Sequence, residues 1–140
     1  MRLSNGHGDR ACVLADATAG IYVRDLEYDS AGLHLQSIIG SHIVIAGNCR
    51  LVGSSNYHWW ASHGGKIISQ PGWSGIVDPG VSCVQYFARA FALGLIHHAI
   101  QWTGGMGSAA YHVEKAGMID TSGYGLPASG APVNAGGWYY

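Results

Sequence analysis

Charge is what this chain has least of: Asp, Glu, Lys and Arg make up 11% of its 140 residues, against about 25% in a typical domain. Seven basic and eight acidic side chains leave a formal net charge of −1. No basic field is present to hold a phosphate backbone, so strong nonspecific nucleic-acid binding is not expected, and aromatic stacking on single strands is the route that stays open. Cysteine is also scarce. Cys12, Cys49 and Cys83 are an odd number without zinc-ligand spacing, which argues against a disulfide framework and against a structural metal. No apolar run follows Met1-Arg2, so the expected setting is reducing and cytoplasmic. Nothing in the pattern calls for a cofactor.

What the chain does have is apolar and small: 48% hydrophobic residues, 22 glycines and five tryptophans. At this length one ordinary core can be buried. Eight of the charged residues precede residue 30, so the later two thirds read as uncharged aromatic surface joined by tight turns. Such a surface predicts self-association or a protein partner.

Along the chain, residues 1–10 read as a flexible arm, 11–125 as a single domain and 126–140 as an irregular tail of Gly, Pro and aromatics ending in Trp138-Tyr139-Tyr140. Imperfect alternation over Ile21–Tyr28, a turn at Asp29–Gly32 and a second run over Leu33–Ile39 predict a hairpin. His42–Ala46 and Cys49–Val52 extend it into an antiparallel meander. After the breakers Gln70-Pro71-Gly72 and Asp78-Pro79-Gly80, Ser82 is placed to cap a helix. The apolar stripe Phe87, Phe91, Leu95 and Ala99, widened by Ala88, Ala92 and Ile96, carries that helix to Trp102. The expected fold class is therefore α+β, an antiparallel sheet of short strands with one long apolar helix over 82–102 packed on it and a Gly-rich C-terminal tail. A membrane span over Val81–Trp102 has the length but also Gln85, Arg89, His97, His98 and Gln101, each costly in hydrocarbon; contact with a membrane surface is compatible with the composition.

A cysteine opening that helix sits at the positive end of the helix macrodipole, and His58 upstream on a strand supplies a base, the environment that favours a thiolate. Two other histidines compete as the base. His42 begins a strand that also precedes a glycine turn, and His112 stands near Glu114 on the C-terminal side of Cys83. His97 and His98 are neighbours on the expected helix, about 100° apart, and cannot share an ion without a further ligand. Leu126–Gly130 resembles a sortase signal, but no anchor segment follows it.

His58-Trp59, Gly64-Gly65 and Ile67-Ile68, followed by Cys83, Tyr86, Phe87 and Gly94, resemble the H-box and NC motifs of the lecithin retinol acyltransferase-like family. The resemblance covers residues 57–95. Ser82 stands where that family has asparagine, Ser69 or Gln70 where cellular members have a second histidine, and only 24 residues separate His58 from Cys83. These departures are closest to the picornaviral 2A branch. The resemblance implies a non-proteolytic accessory protein that acts by binding in viral RNA replication, encapsidation and host-cell interaction, with a viral or host protein as partner and aromatic stacking as the route by which viral RNA would bind. A cellular-type activity would run as acyl transfer or phospholipid hydrolysis, with Cys83 as nucleophile, His58 as base and helix N–H groups holding the oxyanion. Without a third member to orient the imidazole, that activity is expected to be weak or absent. If the motif match is fortuitous, the glycine-rich, weakly charged composition with aromatic ends points to a virion structural or decoration protein.

Overall fold

The computed structural model describes residues 2–3, 11–130 and 133–140. It is a three-sided β-solenoid, and the described residues contain strands and turns and no helix. In chain order the strands are β1 (Arg2–Leu3), β2 (Ala11–Ala15), β3 (Gly20–Val23), β4 (Leu26–Tyr28), β5 (Ala31–Ile38), β6 (His42–Ile45), β7 (Cys49–Leu51), β8 (Ser55–Ser62) and β9 (Lys66–Ser69). They continue as β10 (Ser74–Val77), β11 (Cys83–Phe91), β12 (Leu95–His97), β13 (Gln101–Thr103), β14 (Met106–Glu114), β15 (Met118–Asp120), β16 (Ala128–Gly130), β17 (Val133–Ala135) and β18 (Trp138–Tyr139). Each coil contributes one strand to each of three sheets: A (β1-β4-β7-β10-β13), B (β2-β5-β8-β11-β14-β16, with β17 also on β14) and C (β3-β6-β9-β12-β15-β18). Every strand pairs in parallel with its equivalent one coil away.

Register makes identical side chains stack. In sheet C, Ile21, Ile43, Ile67, Ile96 and Ile119 fall opposite one another, ending on Tyr139; the middle three and Ile119 are fully buried. A second column, of rings, runs up the interior. Tyr28 stacks on His34 with centroids 5.1 Å apart, His34 meets His58 at 4.4 Å, and His58 meets Phe87 at 5.3 Å.

The corner from sheet B to sheet C has one length in four successive coils, and four residues, 16–19, in the coil before them. Residues 39–41, 63–65, 92–94 and 115–117 each bridge it in three steps. Two successive residues take positive φ, as at His63 (51°) and Gly64 (78°) or Ala92 (46°) and Leu93 (66°), the type I′ pattern. The turn closes through hydrogen bonds such as Gly65 N–H to Ser62 C=O at 2.9 Å and Gly94 N–H to Phe91 C=O at 3.0 Å. At 63–65, 92–94 and 115–117 the third residue is glycine for a steric reason: a Cβ at Gly65 or Gly94 would lie 2.1 Å from the carbonyl oxygen of Ser37 or Ala61 in the preceding coil; at 39–41 that place is taken by Ser41.

Three expectations are corrected. The α+β class gives way to an all-strand solenoid, because the run expected as a helix over 82–102 is β11, a corner at 92–94, β12 and β13. An apolar stripe satisfies a helical period and a doubly covered strand alike. Here each strand buries its inner side on the core while its backbone pairs with coils on both sides, and that non-local pairing overrides the helix preference of alanine and leucine. The expected hairpin and meander are also absent: Leu26–Tyr28 and Ala31–Ile38 belong to different sheets, and their partners lie one coil away. A period of two reveals a strand without saying which way its neighbour runs. The stretch read as an irregular tail carries β16, β17 and β18, which extend sheets B and C. Of the expected N-terminal arm, Arg2–Leu3 pairs with β4, and residues 1 and 4–10 lie outside the described residues. Among the described residues no helix is long and apolar enough to cross a membrane.

Candidate functional site

The wall of sheet B separates two sets of groups. Cys83 begins β11 opposite Ser55 of β8, and a register shift then places Tyr86 opposite Tyr57. The thiol is buried, 2.9 Å from the carbonyl oxygen of Tyr86 and 3.2 Å from that of Asn56, with Ser55 Oγ at 3.6 Å. Burial pushes its pKa up to about 11. Ser55 and the backbone N–H groups of His58 and Gln85 pull the other way, but desolvation outweighs them and the two carbonyl oxygens accept from the S–H, so the thiol is held as a hydrogen-bond donor and not as a nucleophile.

His58 is fully buried; its backbone N–H reaches the Cys83 thiol, but its imidazole points away from the sulfur. It faces Phe87 and His34 instead. Its Nδ1 lies 2.5 Å from Nδ1 of His34, whose Nε2 donates to the Asp29 carbonyl at 2.6 Å. Because a carbonyl only accepts, Nε2 of His34 carries the proton and its Nδ1 is a lone pair. His58 must then donate from Nδ1, which leaves its Nε2 as a buried lone pair without a partner among the described residues. Burial holds both imidazoles neutral: His34 is lowered to about 4, and His58 well below its ordinary value, helped by its histidine neighbour.

The two alternative bases are elsewhere. His42 starts β6 in sheet C, where its ring packs over Gly20. His112 lies on β14 in sheet B, in register with Arg89. The structure therefore places Cys83 with Ser55, His58 with His34, and His112 on the opposite side of the wall from both. It offers no helix N-terminus behind Cys83 and hence no oxyanion site of the kind a thiol acyltransferase needs. Among the described residues, no group of three or more His, Cys, Asp or Glu is arranged to hold a metal ion.

The outer side of sheet B holds the more connected chemistry. Successive coils align Gln36, Trp60, Arg89 and His112. The Arg89 guanidinium lies 4.5 Å from the Trp60 ring centroid and 5.8 Å from that of Tyr57, and its Nη2 donates to Glu114 at 2.5 Å. Hydrogen bonding and charge from Arg89 hold the Glu114 carboxyl below its ordinary pKa. His112 packs on Tyr86 at 4.8 Å and stands 3.9 Å from Glu114. Tyr57 meets Trp60 edge-on at 5.0 Å and donates its hydroxyl to Gln85. On the side of Trp60 away from Arg89 is an open recess of about 590 Å³, lined by Gln36, Ile38, Ile39, Trp60, Ser62 and His63.

Of this face the sequence singles out His112 with Glu114 as a candidate base, Tyr86 as part of the NC-like motif, and Gln85 and Arg89 only as polar residues in the expected helix. The rest becomes visible once the coil period is known, and that period is written in Gly65-Lys66-Ile67, Gly94-Leu95-Ile96 and Gly117-Met118-Ile119. Counting 29 residues onward from Trp60 reaches Arg89, and 23 more reaches His112. No protein family, curated protein or solved structure matches the chain.

Proposed function

We propose that this protein is a structural and binding component, a virion structural or decoration protein, and that it is not a thiol enzyme. The observation that carries this is the placement of Cys83 and His58 inside the wall, each committed to a different buried partner. A nucleophile and base that must meet a carbonyl substrate need access and a shared proton, and neither is provided. What the fold provides instead is a stack of coils with outward faces. Leu14, Ile39, Val84 and Leu93 are exposed apolar side chains on it, suited to lateral contact with a neighbouring protein or a second copy. The binding half of the H-box/NC resemblance, contact with viral or host proteins, is compatible with such a surface; its acyl-transfer half has lost the helix it rests on.

Quantitative mass spectrometry of purified particles tests the proposal. A constant stoichiometric ratio to the main shell protein is the expected result. Recovery only in the particle-free fraction, or a hydroxylamine-labile acyl adduct on Cys83 after incubation with an activated thioester, overturns it.

A further inference from the structure

We propose that the recess beside Trp60 is a saccharide site that takes one pyranose ring of a neutral glycan. The inference stands on the outer face of sheet B alone and does not depend on where the protein is assembled. Trp60 is held by the Arg89 guanidinium that Glu114 anchors and, edge-on, by Tyr57. Its recess lies between the second and third coils and is lined by residues of those two coils alone.

The lining suits a ring with an apolar face and a hydroxylated edge. Trp60, Ile38 and Ile39 give an apolar floor on which the axial C–H groups of a sugar can pack. Gln36 gives a carboxamide that makes no hydrogen bond among the described residues, and His63 stands exposed at the corner with its ring against Phe91. Carboxamide and imidazole can each donate and accept, which matches hydroxyls without demanding charge. Neither Asp, Glu, Lys nor Arg lines the recess, so the charge match is to a neutral glycan and not to a polyuronate. Its volume falls within the range of about 300–1,000 Å³ common for small-molecule sites. Because it is open to solvent, an entirely apolar ligand would keep one side in water, whereas a sugar presents its hydroxyls there.

The test is affinity electrophoresis of the whole chain through gels containing dextran, mannan or galactomannan, with alginate as the anionic control. Retardation by at least one neutral polysaccharide is expected. Trp60→Ala should weaken it about tenfold, the scale of one lost ring stack, and Gln36→Ala should weaken it by a smaller factor. Trp60→Phe, which keeps a ring against Arg89, should retain part of the binding and guards against a folding defect in the alanine variant. In saturation-transfer difference NMR of the wild type with the retarding glycan's oligosaccharide, the ring C–H protons should receive magnetisation from indole resonances. No retardation by any neutral gel, retardation by alginate alone, or full binding by folded Trp60→Ala overturns the proposal.

Discussion

Donor and acceptor roles run one way along the buried pair His34 and His58: from His58 Nδ1 to His34 Nδ1, and from His34 Nε2 to the Asp29 carbonyl. Protonating His34 at Nδ1 would set two donors against each other, and protonating His58 at Nε2 would bury a charge with no acceptor beside it among the described residues. His98, also fully buried, shares this state, lowered to about 4 chiefly by desolvation. In the unfolded chain all three titrate near their ordinary value of about 6.5. Above that pH both states are neutral and stability is flat. Below it the unfolded state takes up protons that the folded state refuses, so stability falls with pH until about 4, where His34 and His98 begin to charge in the fold. Each imidazole contributes a slope of up to about 1.4 kcal/mol per pH unit. Urea midpoints at pH 7.5 and 5.5 measure this. His58→Phe, which continues the column formed with Phe87, should lower stability at pH 7.5 by about 1–3 kcal/mol, because His34 Nδ1 loses its donor. It should also flatten the loss toward pH 5.5, and an unchanged slope would count against the assignment. At Cys83, alkylation by iodoacetamide should be undetectable in the folded protein at pH 8 and complete in urea, as its raised pKa and burial require.

At the level of the element, the three-residue corner decides the register of everything after it. Gly94→Ala puts a methyl group against the Ala61 carbonyl and should destabilise by more than about 3 kcal/mol, the scale of a severe steric or backbone fault. Leu93, exposed at φ 66°, is strained without a packing return. Leu93→Asn should therefore be neutral or stabilising by up to about 1 kcal/mol, since asparagine tolerates the left-handed region best. Thermal melts of the two variants would separate a corner set by sterics from one set by sequence preference. The same corner explains what could be read from the chain beforehand. Leu33–Ile39 is legible as an apolar strand run and the strands around His58 and Ile67 come only with the H-box resemblance; β5, β8 and β9 occupy those places. The segment after Ser82 is not legible, since Phe87, Ala88, Ala90, Phe91 and Ile96 suit either period. The element that breaks it, Ala92-Leu93-Gly94, has only its glycine to announce a turn. The pairing of Cys83 with His58 failed for a related reason: the face a side chain takes depends on a bulge between Cys83 and Tyr86, which no local pattern encodes.

At the scale of the whole molecule, each coil touches only the coils beside it, so cohesion is a sum of neighbour terms in which inner coils have two neighbours and outer ones fewer. Native-state hydrogen exchange should show the amides of β8 and β11, in the middle of sheet B, as the slowest, and those of β16–β18 as the fastest. Uniform protection along the chain would mean a single cooperative unit and would contradict the additive picture. The corners, finally, do not share one rule. The passage from B to C keeps three residues through the four successive coils from β5 to β15, while that from A to B ranges from the two residues 104–105 to the five residues 78–82. One corner keeps time and another is free to vary. A segment spliced in at Pro79-Gly80 would thus be carried outward as a loop while the isoleucine column closed beneath it unchanged; the same segment spliced in at Gly64-Gly65 would shift every later coil out of step. The chain can therefore acquire new surface at one corner without renegotiating its core, and at the other it cannot.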